Sequence, residues 1–181
     1  MLIGLTGPSG AHKTVIAKRL EAAHGFDRIH AGDPIKNGLR AGFKLGKNQV
    51  RGKGKDHPAH QLGGATPRSV LEAQGTGTAI AAPGATATRL HKRLMKRLSR
   101  GKNVVVDGVR QEAEAGVIRR LGGHIIRADN GKDPDDSMPM DKRQASIIAD
   151  SSINTSGKKK DIRKATDDHI MRHLQGTYNN G

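Results

Sequence analysis

Gly7-Pro-Ser-Gly-Ala-His-Lys-Thr14 has the residue types and spacing of a loop that grips phosphate. The pattern G-x-x-x-x-G-K-[ST] is met at Gly7, Lys13 and Thr14, while His12 stands where the second glycine belongs. Such a loop turns its backbone N–H groups inward around phosphate oxygens, backed by the positive end of the following helix. In that frame Lys13 would reach the β- and γ-phosphates of ATP and Thr14 would set its hydroxyl on Mg2+. Ser9, Gly10, Ala11 and His12 would complete the phosphate cradle with Gly7.

His12 invites three readings. A positive φ there would cost a non-glycine residue on the order of 1 kcal/mol, which a histidine tolerates. The imidazole could instead contact phosphate, or the loop could be degraded and bind ATP poorly. The small strain favours a tolerated substitution.

Asp107 follows Val104-Val105-Val106, which reads as a buried parallel strand. A carboxylate at that strand end can serve Mg2+ beside a phosphate loop, because neighbouring strand ends line the ligand crevice of an α/β sheet. Arg68, at the start of a helix, and Arg110, just past Asp107, are of the type that clamps a transferring phosphoryl group. His57/His60 and His169/His173 have spacings that suit a metal, but no third ligand accompanies either pair.

These residues need a frame, and the rest of the chain predicts one. Leu2 to Leu5 reads as a strand, and a helix from Thr14 carries Ile16, Leu20 and Ala23 up to Gly25. Asp27 to His30 suits a second strand. Thr66-Pro67 opens a helix through Ala73, and 75 to 88 has no clear assignment. Arg89 to Arg100 is an amphipathic helix with Leu90, Leu94 and Leu98 on one face. Glu112 to Leu121 is a helix, His124 to Arg127 a strand, and a last helix is expected from Asp161 as N-cap to Leu174. Strands alternating with helices imply α/β architecture with a parallel sheet. Residues 44–66, rich in glycine and Lys/Arg, hold too few apolar side chains for a core of their own and are expected to be a mobile insertion.

With 181 residues the chain suits one domain, and with no Trp, one Tyr and two Phe its core must be aliphatic. No apolar run approaches the ~18 residues of a membrane span, and Met1-Leu2-Ile3 enters a strand without a leader pattern. The absence of cysteine excludes disulfides and thiolate metal sites and suits a cytoplasmic location. Thirty-two Lys+Arg against 17 Asp+Glu give a formal charge of +15, a field that attracts nucleotides and binds nucleic acid weakly and without sequence preference.

Four blocks together resemble the phage-type deoxynucleoside monophosphate kinases. Gly4 through Thr14 looks like that family's P-loop. Ala31-Gly-Asp-Pro-Ile-Lys36 is similar to its Phe-Ala-Asp-Pro-Leu-Lys segment. Thr66-Pro-Arg-Ser-Val-Leu71 with Gln74-Gly-Thr76 resembles its Thr-Pro-Arg…Gly-Thr block. Asp107-Gly-Val-Arg110 with Glu112, Glu114 and Gly122-Gly123 resembles its Asp-x-Val-Arg…Glu…Gly-Gly stretch, and Asp150 to Asn154 carries a fainter likeness. The chain departs from the pattern at His12, in lacking the Phe before Asp33, and in the basic 44–66 stretch.

The resemblance implies a three-layer P-loop sandwich, with core residues 1–33, 89–129 and 161–181, a monophosphate-binding insertion at 34–88 and a lid at 130–160. It implies transfer of the γ-phosphoryl of ATP, with Mg2+, to a deoxynucleoside monophosphate. Asp33, Lys36, Arg68, Gln74 and Arg110 become the acceptor-binding candidates. Lys13, Arg110 and Asp33 become the catalytic ones, Thr14 and Asp107 the metal ligands, and Lys142 and Arg143 the lid cations. A homodimer fits this reading, as does the host cytoplasm for a phage-encoded chain. Two other functions compete with it. One is a different P-loop kinase, acting on dephospho-coenzyme A or a nucleoside; the other is a catalytically weak basic protein that binds nucleic acid.

Overall fold

The computed structural model describes residues 1–82, 84–132 and 144–178, with side chains up to Arg172. Five parallel strands, β1 (Leu2–Thr6), β2 (Asp27–His30), β3 (Val104–Asp107), β4 (His124–Asp129) and β5 (Ser151–Asn154), lie in the order β2-β3-β1-β4-β5. Among the described residues seven α-helices accompany them: α1 (Lys13–His24), α2 (Asp33–Gly42), α3 (Lys47–Arg51), α4 (Pro67–Ala81), α5 (Ala85–Leu98), α6 (Glu112–Arg120) and α7 (Lys159–Tyr178).

Alternation along the central strands decides the layering. Leu2, Val104 and Val106 face α5 and α6, packing on Leu90, Leu94, Val117 and Ile118. Ile3, Leu5 and Val105 face the other way, onto Ile16, Leu20, Ile162 and Ile170 of α1 and α7. Strands covered on both sides must be apolar throughout, which is why β1 and β3 are fully buried. The chain leaves β1 to one side of the sheet and reaches β4 on the other, so a crevice opens at the carboxyl ends of β1 and β3.

Residues 44–66 are folded rather than an unstructured insertion. They form α3 and two 3₁₀ turns, Lys53–Asp56 and His60–Leu62. Leu45, Val50, Ala59 and Leu62 close a small core with Leu39, Val70 and Leu71. Too few apolar residues for a free-standing core are enough here, because α2 and α4 supply the other wall.

Further differences are local. The unassigned 75–88 stretch contains the end of α4 and the start of α5. Ser151–Asn154, expected within the lid segment, is instead one of the two edge strands, whose single core residue Ile153 gave little pattern to read. Asp161 is not the N-cap of α7 but lies in its first turn, accepting the Lys158 N–H at 3.1 Å. Among the described residues no helix is long and apolar enough to cross a membrane.

Candidate active site

The loop between β1 and α1 is held by contacts that only its residue types allow. Gly7 has φ +129°, and a Cβ there would collide with the Ala128 carbonyl oxygen of β4. Gly10 is also left-handed at φ +79°, and His12 follows at φ 57°, ψ 21° as the N-cap of α1. Its ring is exposed and borders the cavity described below. The Lys13 ammonium folds back over the loop, donating to the Gly7 carbonyl and to the Pro8 carbonyl at 2.7 Å.

Beside the loop, the Thr14 hydroxyl donates to Asp107 Oδ2 at 3.1 Å, and Arg28 Nη2 donates to the same oxygen at 3.0 Å. Asp107 itself is 1% exposed. A buried carboxylate and a hydroxyl converging beside a phosphate loop suit a hard cation that keeps several of its waters and takes other ligands from substrate phosphates. A group of three or more acidic or histidine side chains is absent among the described residues, and a magnesium ion shared with a nucleotide does not need one.

A cavity of about 440 Å³ runs from this loop toward α2, α4 and the start of α6. His30, Lys36, Arg51, Arg68 and Arg110 line it. Lys36 Nζ lies 2.9 Å from His30 Nε2, and His30 Nδ1 accepts the Gly32 N–H at 3.0 Å. Burial, then Lys36 and Arg110, push the His30 pKa well below its ordinary value, so the ring is neutral. With Nδ1 accepting, the neutral ring carries its proton on Nε2, which meets an uncharged Lys36 more readily than an ammonium. Burial first, and then Arg110 and Arg51, bring Lys36 down to about 8.

One comparison with curated proteins decides the family. The chain is 34% identical over 161 residues to a protein of Acanthamoeba polyphaga mimivirus named "Putative deoxynucleotide monophosphate kinase", covering 81% of this chain and 83% of that protein. The chain belongs to the deoxynucleotide monophosphate kinase family. It is therefore a phosphotransferase, and its fold agrees with that of other kinases. A gluconokinase from Sinorhizobium meliloti superposes with a TM-score of 0.52 at 12% identity, over 99% of this chain and 96% of that one. A shikimate kinase from Aquifex aeolicus gives 0.50 at 14% identity, over the whole of both chains. No family model matches the sequence.

In this kinase Ser9, Gly10, Ala11, His12, Lys13, Thr14, Lys36, Arg68, Asp107 and Arg110 all border one cavity. Arg68 pairs with Asp56, and Arg110 Nη1 lies 3.4 Å from Glu72 Oε1. Gly7 lies against the Ala128 carbonyl rather than on the cavity wall, and two further expected residues are elsewhere. Gln74 is exposed and does not border the cavity, whereas Arg68, Leu71, Glu72 and Gly75 do. At about 100° per residue Gln74 points roughly 100° from Gly75, so its nearness in sequence to a site residue misleads.

Asp33 is the second correction. It does not line the cavity but stands behind it, accepting the His30 N–H at 3.3 Å, Arg93 Nη2 at 2.8 Å and Arg51 Nη1. Burial alone would raise its pKa; the hydrogen bonds from Arg51 and Arg93 outweigh that and bring it to about 2. Asp33 thus holds two arginines, one of which, Arg51, lines the cavity. Lys142 and Arg143 lie outside the described residues. His57 and His60 are exposed, and His169 Nε2 is 3.1 Å from Ser151 Oγ, with no metal cluster among the described residues.

Sequence reasoning missed Arg28, His30, Arg51, Glu72 and Gln144. Arg28 and His30 carried a signal, since alternate residues of a strand ending at the crevice share one face. Arg51 and Glu72 are visible only once α3 and α4 are docked on α2.

Proposed function

We propose that this kinase transfers the γ-phosphoryl of Mg-ATP to a deoxynucleoside 5′-monophosphate, giving ADP and the diphosphate. The observation that carries the reading is the single cavity that joins the β1–α1 loop to Lys36, Arg68 and Arg110. A donor needs the first feature, and a monophosphate acceptor needs the second.

The chemistry asks little of the protein beyond placement and charge. An acceptor phosphate oxygen attacks the γ-phosphorus while the bond to the β–γ bridging oxygen breaks, and ADP leaves. The attacking oxygen is already anionic, so no general base is required. Lys13 and the loop N–H groups would hold the donor phosphates, and Lys36, Arg68 and Arg110 the acceptor phosphate. Thr14 and Asp107 would hold Mg2+, which when bound neutralises charge between the β- and γ-phosphates. We assign the insertion to 34–88; of the lid expected at 130–160, residues 133–143 lie outside the described residues.

The test is ADP release in a coupled assay over a panel of deoxynucleoside monophosphates, with Lys13→Ala as the control. The expected result is turnover of at least one acceptor and a loss of roughly 10²-fold or more in Lys13→Ala with the fold intact. Absence of turnover with every nucleotide acceptor would sink the reading.

A further inference from the structure

Each arginine that borders the cavity is engaged by a carboxylate. Arg51 meets Asp33, Arg68 meets Asp56 and Arg110 meets Glu72. Arg28 differs in its partner, because Asp107 is the carboxylate assigned above to the metal.

Arg28 Nη2 donates to Asp107 Oδ2 at 3.0 Å, and the same oxygen accepts the Thr14 hydroxyl at 3.1 Å. The guanidinium therefore holds the very oxygen that Thr14 shares. Among the described residues this is the one side-chain bond that Arg28 makes. Along β2, Arg28 pairs in register with Val105 of β3, two residues short of Asp107. Its side chain must span those two strand residues, roughly 6–7 Å, to reach the carboxylate.

The two partners are unequally placed. The Asp107 side chain is 2% exposed and fixed at the end of β3, whereas that of Arg28 is 24% exposed and borders the cavity. A carboxylate so buried is costly without a counter-charge, and a guanidinium, which stays charged at every working pH, supplies one. Lys36 and Arg110 act electrostatically on His30 together with Arg28, so cations already crowd this end of the cavity. A further cation on the same oxygen is repelled by the guanidinium as well as obstructed by it. Nucleotide phosphates reverse that balance, because they offer Arg28 another anionic partner within the cavity that it borders.

We propose that Arg28 is the resident counter-cation of Asp107, competing with divalent metal for Oδ2 and released from it by the phosphates of the bound nucleotide. Arg28 is thus a positioning residue that acts through Asp107. It keeps the site closed to free metal and opens it to metal that arrives with nucleotide. The inference rests on the assignment of Thr14 and Asp107 to the metal.

The test is a titration of Mn2+ into the nucleotide-free full chain, with bound ion read by electron paramagnetic resonance. Arg28→Met has similar length and no charge, and it should bind Mn2+ about tenfold or more tightly than wild type. That gain is the worth of a charge-assisted hydrogen bond that the ion no longer has to displace. Arg28→Lys restores the charge and should return the affinity to near the wild-type value. An arginine with a merely structural role would leave Mn2+ affinity unchanged or weaken it. In Arg28→Met/Asp107→Asn the gain should vanish; if it persists, the ion sits elsewhere and the metal assignment falls with the inference. Equal affinity in folded Arg28→Met and wild type overturns the inference alone, leaving the Mg2+ dependence of turnover to stand for the metal assignment. If Arg28→Met does not fold, the melting of wild type decides, with NaCl of equal ionic strength as the control. Mn2+ alone should leave its Tm unmoved, and Mn2+ added over ADP should raise it beyond ADP alone. A rise with Mn2+ alone overturns the inference, and Mn2+ that moves neither state overturns the metal assignment too.

Discussion

The Thr14 hydroxyl donates to Asp107 Oδ2 across 3.1 Å, tying the first turn of α1 to the last residue of β3. Two residues 93 apart in sequence thus present oxygen atoms to the same point beside the loop. Thr14→Val preserves the shape and removes the hydroxyl. The expected outcome is a fall of roughly 100-fold in kcat/KM and a raised Mg2+ concentration for half-maximal rate, measured by titrating Mg2+ against turnover. Wild-type activity should vanish with EDTA. A Thr14→Val enzyme whose Mg2+ requirement matches wild type would rule out this role.

His12 carries φ 57°, so a glycine there relieves strain of about 1 kcal/mol while freeing the unfolded chain by a similar amount. Stability of His12→Gly should therefore stay within about 1 kcal/mol, a shift of no more than ~4 °C in Tm. Its KM for ATP should remain within about threefold of wild type if the ring makes no phosphate contact, since a charge-assisted hydrogen bond is worth more than that. A rise of tenfold or more would show that the imidazole binds the donor.

Lys36 titrates at about 8, below its ordinary 10.5. Below that pH its charge is present to meet the acceptor phosphate; above it the charge is lost. The KM for the acceptor should climb as pH rises through 8, by up to about tenfold per unit, and Lys36→Met should flatten that limb. Stability moves the opposite way. The unfolded lysine keeps its proton up to about 10.5, so the folded state gains stability between about 8 and 10.5. Urea denaturation across that range checks the sign.

Asp33 falls from 3.8 to about 2 in the fold, so its ion pairs stabilise above pH ~4 and are lost as pH drops toward 2. The contribution is at most about 2 kcal/mol. Asp33→Asn should reduce the acid-side slope of stability and raise the acceptor KM, because Arg51 loses its anchor. An Asp33→Asn enzyme with the wild-type acceptor KM and a tenfold lower kcat would instead place Asp33 at the reacting atoms.

The donor side of the site was open to reading in the sequence because its parts are contiguous. β1, Gly7 to Thr14 and α1 follow one another without a break, and three valines before Asp107 mark a buried strand. The acceptor side is assembled from pieces far apart. His30, Arg51 and Arg93 gather around Asp33 only after α2, α3 and α5 dock, and the apolar residues of 44–66 acquire a meaning only beside Leu39 and Val70. A motif near Gln74 named the right helix but the wrong face, since adjacency in sequence says nothing of direction around a helix axis.

Two neighbouring residues of β4 face different tasks. The Ala128 carbonyl blocks any side chain at position 7, and Arg127 Nη2 holds the carbonyls of Ala145, at 3.3 Å, and Ile147. The end of this one strand is thus a common pivot for the donor loop and for the segment that carries Gln144. A tilt of β4 would therefore bear on the donor loop and on the 145–147 segment at once.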